Sequence, residues 1–197
     1  LTALAIIIGT AAVITVIGIG SSAEKALEAS IDDLGPRTLS IFPSQRKRSG
    51  VSQGFNPLVI KDAEALAENT EHNWMIAPAM NGNRQIKFRN SNISGNINGY
   101  LPINFKVRGF EIGQGRIFTE KENLGRKRVI IVGSKVPGEL KTSARQLLNN
   151  EILVAGTSYK VIGILKEEGS TGWQNPDDDL YVPLLTASQR IFGTDRL

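Results

Sequence analysis

No charged residue precedes Glu24, and that asymmetry limits what the chain can fold into more than any pooled composition does. Of the first 20 residues, 14 are Ala, Val, Ile or Leu, three are Gly and three are Thr. All 42 Lys, Arg, Asp and Glu residues therefore lie after residue 23. At about 1.5 Å per residue the uncharged stretch 1–23 makes a helix of roughly 34 Å, enough to cross the ~30 Å hydrocarbon layer of a bilayer. The segment is expected to be a transmembrane helix, with lipid as its solvent. Small residues at Ala5, Gly9 and Ala12 recur at spacings that place them on one helix face. Such a face lets a neighbouring backbone approach closely inside lipid. The abundance of Gly and Ala in membrane helices in general produces the same pattern.

Composition removes several chemistries. There is no Cys, which excludes disulfides, thiolate metal sites and a Cys nucleophile, and the single His72 stands among Glu71, Asn73 and Trp74 without a catalytic motif. No Walker GxxxxGK[ST] is present. The chain is expected not to be an enzyme and to hold no cofactor or metal. Net charge is +4, with the clusters Arg46-Lys47-Arg48 and Arg126-Lys127-Arg128; two short triplets are ordinary solvated loops, and nucleic acid is not an expected partner. Asp177-Asp178-Asp179 lacks the alternating ligands and glycine of a calcium loop and is read as solvated surface.

Gly18-Ile19-Gly20-Ser21-Ser22-Ala23 matches a GxGxxA dinucleotide fingerprint, but the apolar run before it is far longer than a strand and no ribose-binding acid follows. The same run is too long for the core of a secretory signal. A pilin-like start is disfavoured because position 5 is Ala and not acidic. The chain begins without Met and stops at Leu197, and is expected to be part of something longer.

From residue 21 to 34 there is no Gly or Pro, and Ala23, Leu27, Ile31 and Leu34 form one apolar stripe with the charges elsewhere. The membrane helix is expected to continue over 24–35 as an amphipathic stalk. Gly35-Pro36 ends it, since the residue before proline is pushed out of the helical region, and the pair is a hinge candidate as well as a stop signal.

Beyond the stalk, 38–42 reads as a strand, 61–69 as a short helix and 74–77 as a strand, a βαβ order. Alternation over 84–89 predicts a strand with one wet face. Further strands are expected at 93–100, 129–132 and 180–183, a hairpin at 151–155 and 159–165 around Gly156-Thr157-Ser158, a loop at 169–179 and a last helix at 185–192. Trp173, on that loop, is a partner-contact candidate; covering its own core is the competing role.

Several phrases in order resemble the MacB family of ABC transporter permeases. They are Leu1-Thr2-Ala3-Leu4-Ala5-Ile6-Ile7-Ile8-Gly9, then Val107-Arg108-Gly109-Phe110-Glu111-Ile112-Gly113-Gln114-Gly115-Arg116-Ile117-Phe118-Thr119-Glu120, Arg128-Val129-Ile130-Ile131-Val132-Gly133, Tyr159-Lys160-Val161-Ile162-Gly163 and Tyr181-Val182-Pro183-Leu184. Residues 135–151 depart from the family pattern, with Pro137-Gly138 followed by Thr142-Ser143-Ala144-Arg145.

The resemblance implies an α+β fold: a first transmembrane and stalk helix, then a periplasmic domain of two subdomains. One is porter-like, a βαβ unit from 36–100 plus 178–197; the other is a β-rich, Sabre-like insertion over 101–177. It further implies residence in a bacterial inner membrane with the main domain periplasmic or extracellular. The job would be transmission of ATP-driven motion for efflux of drugs, peptides or lipids. Expected partners are an ATP-binding subunit or domain, a second copy in a homodimer, and a periplasmic adaptor with an outer-membrane channel. Two other readings differ in class: a single-helix anchored binding or sensor module, which predicts no further apolar spans downstream, and a nucleotide-binding oxidoreductase.

Overall fold

The structure, a computed structural model, describes residues 9–18, 20, 39–43, 47–48, 51–52, 57–69, 74–169 and 175–197. The chain divides into two units, Leu1–Leu39 and Ser40–Leu197. In the first, residues 9–18 are helical (α1). No helix among the described residues is long and apolar enough to cross a membrane; the remainder of the segment expected to span, 1–8, 19 and 21–23, lies outside them.

The second unit is built on a seven-stranded mixed sheet. A two-stranded antiparallel ladder, Lys47–Arg48 (β1) with Val51–Ser52 (β2), stands apart from it. The helix α2, Ile60–Glu68, falls where the apolar spacing predicts it, and the Val59 backbone N–H donates to Asp62 Oδ2 at 2.8 Å at its start. Residues 39–43 and 74–78 carry no regular secondary structure. The strands expected at 38–42 and 74–77 are therefore absent among the described residues, and α2 is not the crossover of a βαβ unit. Their apolar residues mislead because apolar content without a pairing partner does not make a strand; Phe42 and Trp74 are exposed.

β3 (Ala79–Phe88) and β4 (Ser91–Tyr100) form a hairpin of ten residue pairs. β3 shows the expected alternation, with Ile86 and Phe88 buried and Gln85 and Lys87 exposed. α3 (Pro102–Arg108) starts on Pro102, whose missing N–H costs nothing there, and stops at Gly109 in the left-handed region, φ 72°. Then follow β5 (Ile112–Gly115), α4 (Glu120–Leu124), β6 (Val129–Val132), α5 (Val136–Glu139), α6 (Ala144–Leu147), β7 (Glu151–Val154), β8 (Thr157–Leu165), β9 (Leu180–Pro183) and α7 (Leu184–Thr186), which runs into a wide π-helical turn, Ala187–Phe192. α4 has a full capping box: Glu122 N–H donates to Thr119 Oγ1 at 3.3 Å and Thr119 N–H to Glu122 Oε2 at 2.8 Å. The β7–β8 turn is two residues, Ala155 and Gly156, at φ 48° and 81°, one residue earlier than expected.

The order β5-β8-β6-β9-β4-β3-β7 has one further pairing, β7 with β8. β7 lies along residues 157–160 of β8 and β5 along 163–165 of the same edge, while β6 takes the opposite edge. Six strands thus close in a ring, β8-β6-β9-β4-β3-β7, with β5 extending it. Closure removes open edges from those six strands. The strands of 101–177 and those of 79–100 and 180–183 share this one sheet.

Both faces of the sheet are covered. Ile130, Val132, Val161, Leu180, Val182 and Tyr159 belong to one core; Val129, Ile131, Ile162 and Tyr181 belong to a second with Tyr100, Phe105 and Phe118. Strands buried on both sides read as continuous apolar runs, which is why Val129-Ile130-Ile131-Val132 shows no alternation. The register shifts between Ile130 and Ile131, opposite Val161 and Gly163. That bulge lets Val161 and Ile164 both face the first core while Ile162 and Leu165 face the second. At the end of the chain Leu197 N–H donates to Leu58 O at 2.8 Å and Ile60 N–H to Asp195 O at 3.1 Å, joining the start of α2 to the last residues of the chain.

Candidate functional site

Of the small residues expected on the membrane helix, Gly9 and Ala12 lie on α1 and are exposed. So are its large apolar side chains, Ile14 at 70% and Val16 at 69%. Thr15 satisfies its hydroxyl within the helix by donating to Ala11 O at 2.8 Å. An apolar helix exposed all round is suited to a non-aqueous solvent or a helical partner. Ala5, the stripe Ala23, Leu27, Ile31 and Leu34, the pair Gly35 and Pro36, and Trp173 lie outside the described residues.

The described feature that bears on the loop carrying Trp173 is the junction at its base. Asp177 is fully buried. Its Oδ1 accepts from Glu168 N–H at 3.1 Å and its Oδ2 from Gly169 N–H at 3.2 Å, and Lys135 Nζ stands 3.3 Å from Oδ2. The backbone closes the same junction: Gly133 N–H donates to Asp179 O at 2.8 Å and Lys135 N–H to Asp177 O at 3.0 Å. These bonds carry the β6–β9 ladder past its last residues and bring the chain before β9 against the chain after β6. The acidic run is thus not solvated surface: Asp177 is buried and Asp178 and Asp179 are half-buried. A single sequence cannot distinguish an acidic run in water from one that caps orphan N–H groups, because the acceptors are the same.

Asp179 Oδ1 accepts from Asn96 at 3.2 Å and Oδ2 from Asn98 at 2.9 Å, tying the junction to β4. Tyr181 donates its hydroxyl to Pro176 O at 3.2 Å, so the aromatic core touches the junction too. Phe105 lies at its centre, edge-on to Phe118 at 5.5 Å and to Tyr181 at 5.6 Å. Burial pushes the Tyr100 phenol up to about 12, with the Arg108 guanidinium opposing. Asn104, buried on α3, accepts from Leu101 N–H at 3.0 Å and donates to Pro78 O at 3.0 Å, fixing α3 against the start of β3. Among the described residues no His, Asp and Glu group is arranged to hold a metal.

Burial pushes the Asp177 carboxyl up, but the Glu168 and Gly169 N–H groups and the Lys135 ammonium outweigh it and hold it below its ordinary value of 3.8. A carboxyl lowered on folding contributes stability above its unfolded value, and that contribution is lost as pH falls through the depressed one. Asp179 has the opposite sign: burial, opposed by Asn98 and Asn96, pushes it up, so it subtracts stability as pH rises from the ordinary value to the raised one. Asp177→Asn should therefore lower stability at pH 7 by roughly 1–3 kcal/mol and flatten the rise of the thermal midpoint with pH in the region of pH 4 and below. An Asp177→Asn midpoint parallel to wild type across pH 2–6 (approximately the window of carboxylate titration) would contradict that assignment.

The junction and aromatic core escape sequence reasoning with two exceptions. Gly133, directly after a four-residue apolar run, signals a close approach, and Phe110 and Phe118, though not Phe105, lie within the phrase Val107 to Glu120 that carries the family resemblance.

A family model described as the MacB-like periplasmic core domain matches residues 1–196. The chain belongs to this family. The MacB-like assignment agrees with curated relatives. It is 29% identical over 196 residues to the macrolide export ATP-binding/permease protein MacB of Bdellovibrio bacteriovorus, covering 98% of this chain and 30% of that protein. With the protein of the same name from Hahella chejuensis the identity is 25%, covering 98% and 29%. The chain thus spans about 30% of the length of these relatives, and the part matched is the MacB-like periplasmic core domain, not an ATPase domain. Among solved structures, the periplasmic region of MacB from Actinobacillus actinomycetemcomitans superposes with TM-score 0.64 at 19% identity, covering 79% of this chain and 69% of that one. The extracellular domain of the noncanonic ABC-type transporter YknZ from Gram-positive bacteria gives TM-score 0.64 at 20% identity, covering 79% and 76%. These likenesses support the fold.

Proposed function

We propose that this MacB-like domain passes ATP-driven motion from the cytoplasmic side of a bacterial inner membrane to the periplasm, in a permease that exports drugs, peptides or lipids. The observation that carries the reading is the family match across 1–196, which takes in the uncharged segment and the water-soluble body together. The exposed apolar surface of α1 supports the membrane placement. In this reading 1–23 spans the bilayer with Ala5, Gly9 and Ala12 packed on another helix, and 24–35 forms the stalk on the stripe Ala23, Leu27, Ile31 and Leu34. Gly35 and Pro36 form the hinge. Residues 36–100 with 178–197 would be the porter-like part and 101–177 the Sabre-like part. Because strands of both share one sheet, load applied to either would reach the other without a soft linker.

ATP would be hydrolysed by a separate subunit or domain, and the permease would work as a homodimer. Trp173 would contact a periplasmic adaptor leading to an outer-membrane channel. The test is transport by the full-length protein with its ATP-binding part. Pro36→Ala is expected to reduce export severalfold at unchanged thermal midpoint, since a continuous helix transmits tilt differently from a broken one. Unchanged export together with an unchanged midpoint removes the hinge from the mechanism.

A further inference from the structure

Where β5 ends against β8, the second unit carries a cleft of about 510 Å³, within the size range of small-molecule sites. Val129 and Ile162, both rooted in the second core, give it an apolar lining. Arg116, Glu122, Lys160 and Asn149 bring polar and charged groups to the same cleft. The backbone under these side chains is pinned. Gly115, at φ 85°, lies so close to β8 that an added Cβ would sit 2.2 Å from Ile162 O, and Arg116 N–H donates to Ile162 O at 3.0 Å. Asn149 N–H donates to Val161 O at 2.8 Å and Lys160 N–H to Arg128 O at 2.9 Å. The Thr119 capping box fixes Glu122 in the first turn of α4.

The Arg116 guanidinium is held at one end and open on one side. Nη1 donates to Glu122 Oε2 at 2.8 Å and Nη2 to Glu122 Oε1 at 2.7 Å, a bidentate pair, and Nη1 also donates to Ile117 O at 3.1 Å. Nε–H and the second Nη2–H, which share the remaining side of the planar fork, meet no acceptor among the described residues. That side has the geometry to take a second carboxylate. An exposed pair of Arg and Glu by itself is commonplace and contributes little. This one shares its cleft with a further cation, Lys160, which forms no ion pair among the described residues. Arg116 and Lys160 set against Glu122 leave one positive charge uncompensated. The hydrogen bonds from Arg116 outweigh burial and pull the Glu122 carboxyl down to about 2, so Glu122 stays ionised and keeps the guanidinium in place at neutral pH.

We propose that this cleft binds one monoanionic carboxylate carrying a short apolar chain. The carboxylate takes the Nε–Nη2 side of Arg116, Lys160 supplies the second cation, and the chain covers Val129 and Ile162. Glu122 is a positioning residue that presents the fork. A fatty acid and the C-terminus of a peptide ending in an apolar residue share this chemistry.

The test uses the full 197-residue chain, isotope-labelled and in detergent, titrated at constant ionic strength with hexanoate in one arm and N-acetyl-leucine in the other. Acetate, which lacks the chain, and hexanol, which lacks the charge, are the controls. The Arg116 Nε–H resonance, assigned by its loss in Arg116→Lys, should move downfield and saturate in at least one arm. A response confined to hexanoate identifies the fatty-acid source, one confined to N-acetyl-leucine the peptide terminus, and a response to both the shared chemistry. Arg116→Lys should weaken binding, read by titration calorimetry, about tenfold. Lys160→Gln, at an exposed position, should weaken it severalfold at unchanged thermal midpoint.

The proposal is overturned if neither probe moves the Arg116 Nε–H resonance, or if acetate binds as tightly as the longer carboxylates, which would make the contact a plain ion contact. Binding that survives both substitutions overturns it as well.

Discussion

Gly133→Ala is expected to destabilise the second unit by about 3 kcal/mol or more, because the added methyl has nowhere to go. A Cβ at this position would sit 2.2 Å from Asp177 O, 2.4 Å from Asp177 C and 2.6 Å from Pro176 O. All three are backbone atoms, so no side chain can rotate away. The segment is pinned from both sides, by Gly133 N–H to Asp179 O and by Lys135 N–H to Asp177 O, and relief requires breaking those bonds or pushing Asp177 off the N–H groups of Glu168 and Gly169. With total stabilities of about 5–15 kcal/mol, such a loss is a large fraction of what holds a domain folded. For a domain of this size it corresponds to a fall of roughly 6–12 °C in the thermal midpoint. Gly138→Ala is the control: Gly138 lies on α5 with nothing within 4 Å of its added Cβ, so it should be neutral or slightly stabilising. Circular dichroism melts of the two variants decide the matter. Equal midpoints would mean that the approach of 133 to 177 is not as tight as described.

Phe105→Ala should cost about 3–5 kcal/mol, through lost burial and the cavity left behind. Phe105 is 1% exposed and meets Tyr100, Phe110, Phe118 and Tyr181 edge-on at 6.0, 6.5, 5.5 and 5.6 Å. It is the residue through which α3 covers the outer face of β6, β8 and β9. Near-ultraviolet circular dichroism of Tyr100 and Tyr181 should weaken along with the midpoint, whereas Phe105→Leu, which refills much of the volume, should lose less than half as much. A loss below about 1 kcal/mol for the alanine variant would be inconsistent with a closed aromatic core at this site.

Local patterns carried much of the fold. Alternation placed β3, the four-residue apolar runs placed β6 and β9, and the Gly at 156 placed the β7–β8 turn to within one residue. Each depends on interactions within a few residues, so a single sequence reveals them. The same logic erred at 39–43 and 74–78, where apolar residues lacked a neighbouring strand. It erred again at Asp177, whose partners come from Lys135, Glu168 and Gly169.

From residues alone came the division of the chain at Glu24 into an uncharged segment and a charged body, the family, and the positions of strands with strong local periodicity. Closure of six strands into a ring, the second core around Phe105, and the burial of Asp177 emerge only after β6 lies against β9 and β7 against β3. These are contacts between segments tens of residues apart. Whether an aspartate is hydrated or buried, and whether a glycine is dispensable, depends on which distant backbone arrives beside it, and periodicity along one strand carries no record of that arrival.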